Sequence, residues 1–466
     1  MSHIIDMTAT EMAAAIRAGH LSAEEAVAAH LARIEAINPK INAVVQQAPE
    51  QALEAARRAD QKHATGAPLG PLHGVPMTLK DSIDTADFVT TWGTPGRHSF
   101  IPQKDATVTA RLRAAGAIII GKTNTPEFTL GSETVNEIYG QTVNPYDLTR
   151  TPCGSSGGSA ALLAVRGTPI ELGSDTGGSI REPAHVCGIA GLKPTSGRVP
   201  RTGHAVGYGL GAVDSLTQIG PMARSAADLA MVLKVIAGPD GHDPAVPPAA
   251  LGDPDAVLPS DLRIAHYTGG GLPEPCPEIA RAVNSAAEAM GHLGSRITEA
   301  APPGLADVSD LYLRLRYSSG SGWLRDYLAD LGLSPPGAPL ASRLADESTA
   351  PQARADLSKV LREVDSFRIA ALKFMEPFDV ILCPAACFAA QELNSDHLIP
   401  NRQEMWGHLY YLNLLGWPAA VIPAGMTDQG LPIGLQIVGP PWREDLVLAL
   451  AMALEKALPG CPAPGL

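Results

Sequence analysis

The sequence predicts an α/β fold, on three observations. Short apolar runs alternate with helical segments between residues 75 and 172. Similar apolar runs return between 380 and 438. At 466 residues and 45% hydrophobic content, the chain has material for a large core, and 18% charged residues is ordinary for a globular protein.

The first elements are helical. Thr8-Ala9-Thr10-Glu11 and Ser22-Ala23-Glu24-Glu25 both fit a capping box, a hydroxyl with a carboxylate three residues on. The second helix is expected to stop near Asn38-Pro39, because proline disfavours helix in the residue before it. A third helix spans Glu50 to Lys62, followed by a Gly/Pro linker from Thr65 to Pro71. Val75 to Leu79 reads as a buried strand, Ala106 to Ala115 as a helix and Ala117 to Ile120 as a strand. Ser159 to Val165 is helical and Pro169 to Leu172 extended. Gly238 to Ser260, rich in Pro, Gly and Asp, reads as a long surface connection. Ile264 to Glu376 reads as mostly helical, broken at Pro335 to Pro339. Strands return at Val380 to Cys383, Ala419 to Ile422 and Ile433 to Val438, and a helix from Asp445 to Lys456 closes the chain. The expected organisation is one domain over 1–466. It holds a helical region at 1–64, a core at 65–235, a mostly helical insertion at 236–378 and a return to the sheet at 379–466.

Composition narrows the function. Lys and Arg number 35 against 48 Asp and Glu, a net charge of −13, and no basic block stands out. No nucleic-acid or anionic-membrane partner is expected. Met1 to Glu11 lacks the pattern of a secretory signal, and no run approaches 18 apolar residues, so the expected compartment is the cytoplasm. Six cysteines (Cys153, Cys187, Cys276, Cys383, Cys387 and Cys461) are too sparse for a disulfide scaffold and have no zinc spacing. The 13 histidines are scattered and H-E-x-x-H is absent. Neither a metal nor a cofactor is expected.

Two motifs compete for attention. Gly116 to Thr123 matches the phosphate-loop pattern G-x4-G-K-[ST], but its interior is Ala-Ile-Ile-Ile, which favours strand over a bare-amide loop. Gly154-Ser155-Ser156-Gly157-Gly158 matches the nucleophile elbow G-x-S-x-G. That reading makes Ser156 the nucleophile, with Asp379 and His397 or His408 as partners.

The stretch from Pro152 to Pro200 carries more. It holds Cys153-Gly154-Ser155-Ser156-Gly157-Gly158-Ser159, then Gly173-Ser174-Asp175-Thr176-Gly177-Gly178-Ser179-Ile180-Arg181, then Gly191-Leu192-Lys193-Pro194-Thr195. Two Gly/Ser loops separated by a helix and a strand sit on one edge of a sheet, where α/β sites form. This pattern resembles the amidase signature family. The resemblance extends to His73-Gly74-Val75-Pro76, Lys80-Asp81, Gly121 to Phe128, Gly220 to Ser225, Gly416 to Ala419 and Gly434 to Gly439. It covers most of the chain outside Gly238 to Glu376.

The resemblance implies a central twisted mixed β-sheet covered by helices on both faces. It also implies a Ser/Ser/Lys triad: Ser179 as nucleophile, Ser155 as a relay on a cis peptide, and Lys80 as base. A serine hydroxyl needs a base, and a lysine base must be neutral, which burial achieves. Asp81 beside Lys80 would oppose that shift if it faced the ammonium. The N–H groups of Thr176, Gly177 and Gly178 would form the oxyanion hole, with Ser156, Ser174, Asp175 and Arg181 supporting the loops. Cys153 stands where the family pattern has glycine, so altered loop packing is expected there. The implied activity is hydrolysis of C–N bonds in small-molecule amides through an acyl-enzyme, extending to anilides, carbamates or urethanes, with esterase side activity, in a monomer or homodimer. The alternative is the glutaminase subunit of a tRNA-dependent amidotransferase. Trp92, Phe128, Tyr139, Trp323, Tyr410, Tyr411 and Trp417 are candidates for an apolar pocket.

Overall fold

The apolar runs become strands β1 (Val44–Gln47), β2 (Pro76–Lys80), β3 (Ile118–Thr123), β4 (Val135–Asn136), β5 (Gly140–Gln141), β6 (Ile170–Asp175), β7 (Ala190–Lys193), β8 (Gln218–Ala223), β9 (Arg263–His266), β10 (Arg296–Glu299), β11 (Val380–Pro384), β12 (Ala419–Met426) and β13 (Pro432–Val438). The computed structural model describes residues 2–318, 322–333, 337, 340–341, 356–395 and 402–466. Eleven strands join one sheet in the order β1-β3-β2-β6-β8-β7-β12-β13-β11-β9-β10, and β4 and β5 form a separate pair. β2 is parallel to β3 and β6, and β9 is parallel to β10 and β11. The remaining pairings are antiparallel, so the sheet is mixed.

Successive strand residues point to opposite faces, and the core divides accordingly. Val380 and Leu382, Ala420 and Ile422, and Leu435 and Ile437 pack with helices Ala226–Ile236, Pro277–His292 and Glu444–Ala457. Ile381, Cys383, Ala419 and Val438 face helices Val308–Arg316, Leu357–Met375 and Gly407–Leu415 on the other side. Each fully buried aliphatic side chain contributes about 1.5–3 kcal/mol, so both faces are held by area alone. Among the described residues no helix is long and apolar enough to cross a membrane.

Both capping boxes form, at Thr8 with Glu11 and at Ser22 with Glu25. The second of these helices differs from expectation: it runs through Pro39 to Ile41. Pro39 falls in the last turn, and Asn38 closes the end by accepting the Ala43 and Val44 N–H groups at 2.9 and 2.7 Å. The segment 236–378 also holds two strands, β9 and β10, which extend the sheet at one edge. Each is only four residues long and ends in a polar or charged residue, too short to show a period. β8 was hidden by Pro221, because proline argues against an interior strand. The strand survives because β7 pairs only with Met222 and Ala223, leaving Pro221 beyond that ladder. Of the break at Pro335 to Pro339, only Gly337 lies within the described residues.

Helix Gly157–Ala164 lies close against the loop after β3. A Cβ on Gly158 would sit 2.5 Å from Asn124 N and 2.6 Å from Asn124 O, both backbone atoms. Gly158→Ala is expected to destabilise the protein by about 1–3 kcal/mol, read as a lower urea midpoint with an unchanged m-value.

Candidate active site

β2 and β6 run side by side and end together, with Met77, Thr78 and Leu79 paired to Ile170, Glu171 and Leu172. Lys80 and the pair Ser174-Asp175 therefore emerge at the same carboxyl edge of the sheet. The loop before helix Gly157–Ala164 brings Ser155 and Ser156 to that edge, and the turn before helix Arg181–Cys187 brings Ser179. The Gly154–Ser155 peptide is cis. Cys153 adopts φ 58°, a left-handed conformation that glycine takes more readily. Its N–H donates to Thr151 Oγ1 at 3.0 Å and its carbonyl accepts from Thr134 Oγ1 at 2.9 Å, which hold it there.

Lys80 is fully buried, with Nζ 2.6 Å from Ser155 Oγ, 2.9 Å from Ser156 Oγ and 3.0 Å from Ser174 Oγ. Burial holds its pKa well below 10.5, against the opposing pull of Asp175 and Glu171. Glu171 is itself lifted to about 7 by burial, which weakens that pull. Asp81 turns away from the amine, accepting the Thr91 N–H at 3.2 Å and the Thr91 hydroxyl, with Lys122 as its cationic neighbour. The Ser156 hydroxyl donates to the Ser174 carbonyl and accepts the Ser174 N–H, both at 3.3 Å. Its proton is therefore committed. Ser155 is the nearest of the three hydroxyls to the amine.

Asp175 shapes the turn that carries Ser179. It accepts the N–H groups of Gly178 at 2.9 Å, Ile180 at 3.2 Å and Arg181 at 3.4 Å. It also takes Arg181 Nε at 3.0 Å and Nη2 at 2.9 Å, in an ion pair with no exposed surface on either side chain. Burial works against its charge, but the Arg181 guanidinium overrides it and holds the carboxyl below the usual carboxylate range. Arg181 then donates to Gln436 Oε1 (2.9 Å), Leu409 O (3.1 Å) and Asn413 Oδ1 (2.7 Å). Asn413 returns to Asp175 Oδ1 at 3.0 Å. The loops that carry Ser155 and Ser179 meet through the Ser156 N–H, which donates to the Ser179 carbonyl at 3.2 Å. Ser179 itself is half-buried.

The structure thus brings Lys80, Ser155, Ser156, Ser174, Asp175, Thr176, Gly177, Gly178, Ser179 and Arg181 to one edge. Sequence reasoning missed Asn413, Gln436 and Tyr312, whose hydroxyl donates to the Thr176 carbonyl at 2.9 Å. Asn413 was findable as the lone amide in the apolar run Leu409 to Leu415, and Gln436 as the lone amide in a fully buried strand. The described geometry does not support the elbow reading: the Ser156 hydroxyl donates to the Ser174 carbonyl, Asp379 pairs with Arg263 at 2.8 Å, and neither ring nitrogen of His408 has a partner among the described residues. His397 lies outside the described residues. The phosphate-loop match is buried strand, with Lys122 Nζ on Thr85 Oγ1 at 2.8 Å and on the Ile83 carbonyl. Of the aromatic candidates, Tyr410 approaches the turn, at 3.0 Å from where a Gly177 Cβ would lie. Trp92 packs on Phe128, ring centroids 6.0 Å apart, in a separate cluster. Tyr139 accepts from Gln46 at 2.9 Å, while Tyr411 and Trp417 are core residues. The Trp323 side chain lies outside the described residues.

A large mixed sheet carrying a buried amine against serine hydroxyls at its edge is the α/β arrangement that the resemblance to the amidase signature family implies. Known proteins agree with that class. The family model Amidase matches residues 25–448, and the chain belongs to that family. A glutamyl-tRNA(Gln) amidotransferase chain from Cyanothece sp. is 37% identical over 472 residues, spanning 94% of this chain and 95% of that one. An indoleacetamide hydrolase from Bradyrhizobium diazoefficiens is 35% identical over 462 residues, spanning 96% and 86%. The structure of a 6-aminohexanoate cyclic dimer hydrolase superposes with a TM-score of 0.86 at 29% identity over 99% of both chains. The protein is an amidase signature amidohydrolase acting on C–N bonds.

Asp175→Asn leaves the Arg181 charge buried without its carboxylate. A loss of about 3–5 kcal/mol is expected, measured by denaturant unfolding, together with loss of amide hydrolysis.

Proposed function

We propose that Ser179 attacks the amide carbonyl while Ser155 passes the proton from Ser179 to the Lys80 amine. The observation that carries this is the buried Lys80 nitrogen 2.6 Å from Ser155 Oγ. The C–N bond breaks as the departing amine takes that proton, an acyl-enzyme remains on Ser179, and water releases the acid. The chemistry requires no metal or cofactor. The Gly178 N–H is already given to the Asp175 carboxylate, so we assign the oxyanion hole to the N–H groups of Thr176 and Gly177, with Ser179's own N–H in place of that of Gly178. Tyr312 and Tyr410 crowd Gly177 and Leu409 crowds Gly178, which favours a flat, apolar acyl group. Aryl amides, anilides and urethanes are the substrates we propose, with esters as side substrates.

The second reading, the glutaminase component of a tRNA-dependent amidotransferase, draws on the relatives that carry the amidotransferase name. A panel of benzamide, acetanilide, phenyl urethane and glutamine separates the two. Turnover of glutamine alone, or copurification with a partner chain, selects the second.

Ser179→Ala is expected to lower kcat by roughly 10⁴-fold or more, while Ser156→Ala retains measurable turnover. Full activity in Ser179→Ala would sink the assignment. The base works only when deprotonated, so kcat/KM rises with pH through the Lys80 pKa. Because burial lowers that pKa, the acid limb of the profile is expected well below pH 10.5. A limb at the ordinary lysine value would rule Lys80 out as base.

A further inference from the structure

The carbonyl of Thr176 and the N–H of Gly177 belong to one planar peptide unit and point in opposite directions. Whatever holds the carbonyl aims the N–H. Here the carbonyl accepts a hydrogen bond from Tyr312 Oη at 2.9 Å. Tyr312 is fully buried on helix Val308–Arg316. That helix lies in the segment 236–378, outside the stretches that carry the family resemblance. The Tyr312 ring stacks on Tyr410 with centroids 4.0 Å apart and planes 5° from parallel. Space at the turn is closed: a Cβ on Gly177 would lie 2.8 Å from Tyr312 Oη and 3.0 Å from Tyr410 Cε1. Burial raises the Tyr312 pKa above 10, so the hydroxyl remains a donor throughout the working range.

We infer that Tyr312 is a positioning residue for the oxyanion hole, fixing the Thr176–Gly177 peptide so that the Gly177 N–H meets the developing oxyanion. The bond to the carbonyl also polarises the N–H at the other end of the same peptide. Preorganised donors of this kind carry much of the barrier reduction in acyl transfer. The inference rests on the reading of Ser179 as nucleophile. It makes a helix outside the signature stretches a determinant of rate through the oxyanion hole.

The test uses diisopropyl fluorophosphate, whose reaction with a serine depends on nucleophile and oxyanion hole and not on the amide substrate. The Ser179 Oγ–P bond forms as P–F breaks, and fluoride and the serine proton leave. Tyr312→Phe keeps the ring stack and removes the donor. Its maximal inactivation rate constant is expected to fall about tenfold, the effect of one hydrogen bond. The half-saturating concentration should stay unchanged and labelling should still run to completion. A purely structural role would instead lower the labelled fraction. Replacing Tyr312 with 4-aminophenylalanine, which restores a donor, should recover the rate, and 4-fluorophenylalanine should not. If Tyr312→Phe does not fold, those two replacements decide. A wild-type rate in either donor-free variant, with Ser179→Ala unlabelled, overturns the role of Tyr312 alone. Equal labelling of Ser179→Ala overturns the nucleophile reading beneath it.

Discussion

The buried pair between Asp175 and Arg181 is the contact on which the site's geometry hangs. Taking two charges out of water costs several kcal/mol per ion unless the remaining lone pairs and protons find partners. Here they do. Asp175 accepts three backbone N–H groups of its own turn, and Arg181 reaches Gln436 on β13 and Asn413 on helix Gly407–Leu415. One ion pair therefore ties the Ser179 turn to a strand and a helix from the far end of the chain. It also explains why the Gly178 N–H is turned inward, toward Asp175.

The same low dielectric serves a second purpose at Lys80. Desolvation disfavours its ammonium, and the nearby carboxylates do not restore it. Asp81 is held by Thr91, Glu171 is lifted toward neutrality by the same burial, and Asp175 is neutralised by Arg181. An amine is held toward its neutral form at this sheet edge because the counter-charges around it are absorbed elsewhere. Stability and reactivity thus share a cause, the depth at which β2 and β6 end.

Much of this was legible in the residue order. The capping boxes, the main strands and the Gly/Ser loops are local patterns, read from residues within a few positions of each other. The exceptions are instructive. β9 and β10 are too short and polar to show a period, and they exist because β11 offers β9 a parallel partner. β8 tolerates Pro221 because its ladder with β7 ends at Met222. The helix through Pro39 survives because the side chain of Asn38 caps it. In the first two cases a contact from outside the segment decided what the segment alone could not.

The site divides in the same way. The sequence by itself, through its resemblance to the amidase signature family, marks the side chains we propose carry the chemistry. Lys80, Ser155 and Ser179 each stand in a locally recognisable motif. It could not decide between Ser155 and Ser156 by chemistry, because both hydroxyls sit in one glycine loop. The tertiary structure distinguishes them: the Ser156 hydroxyl donates to the Ser174 carbonyl at 3.3 Å, while Ser155 is the hydroxyl nearest Lys80 Nζ, at 2.6 Å. Nor could it find the residues that aim the turn. Tyr312, Asn413 and Gln436 lie 136, 238 and 255 positions from the groups they hold. Such partners are chosen by which strands and helices pack together. Burial makes the choice matter, since a polar group left there without its partner costs free energy.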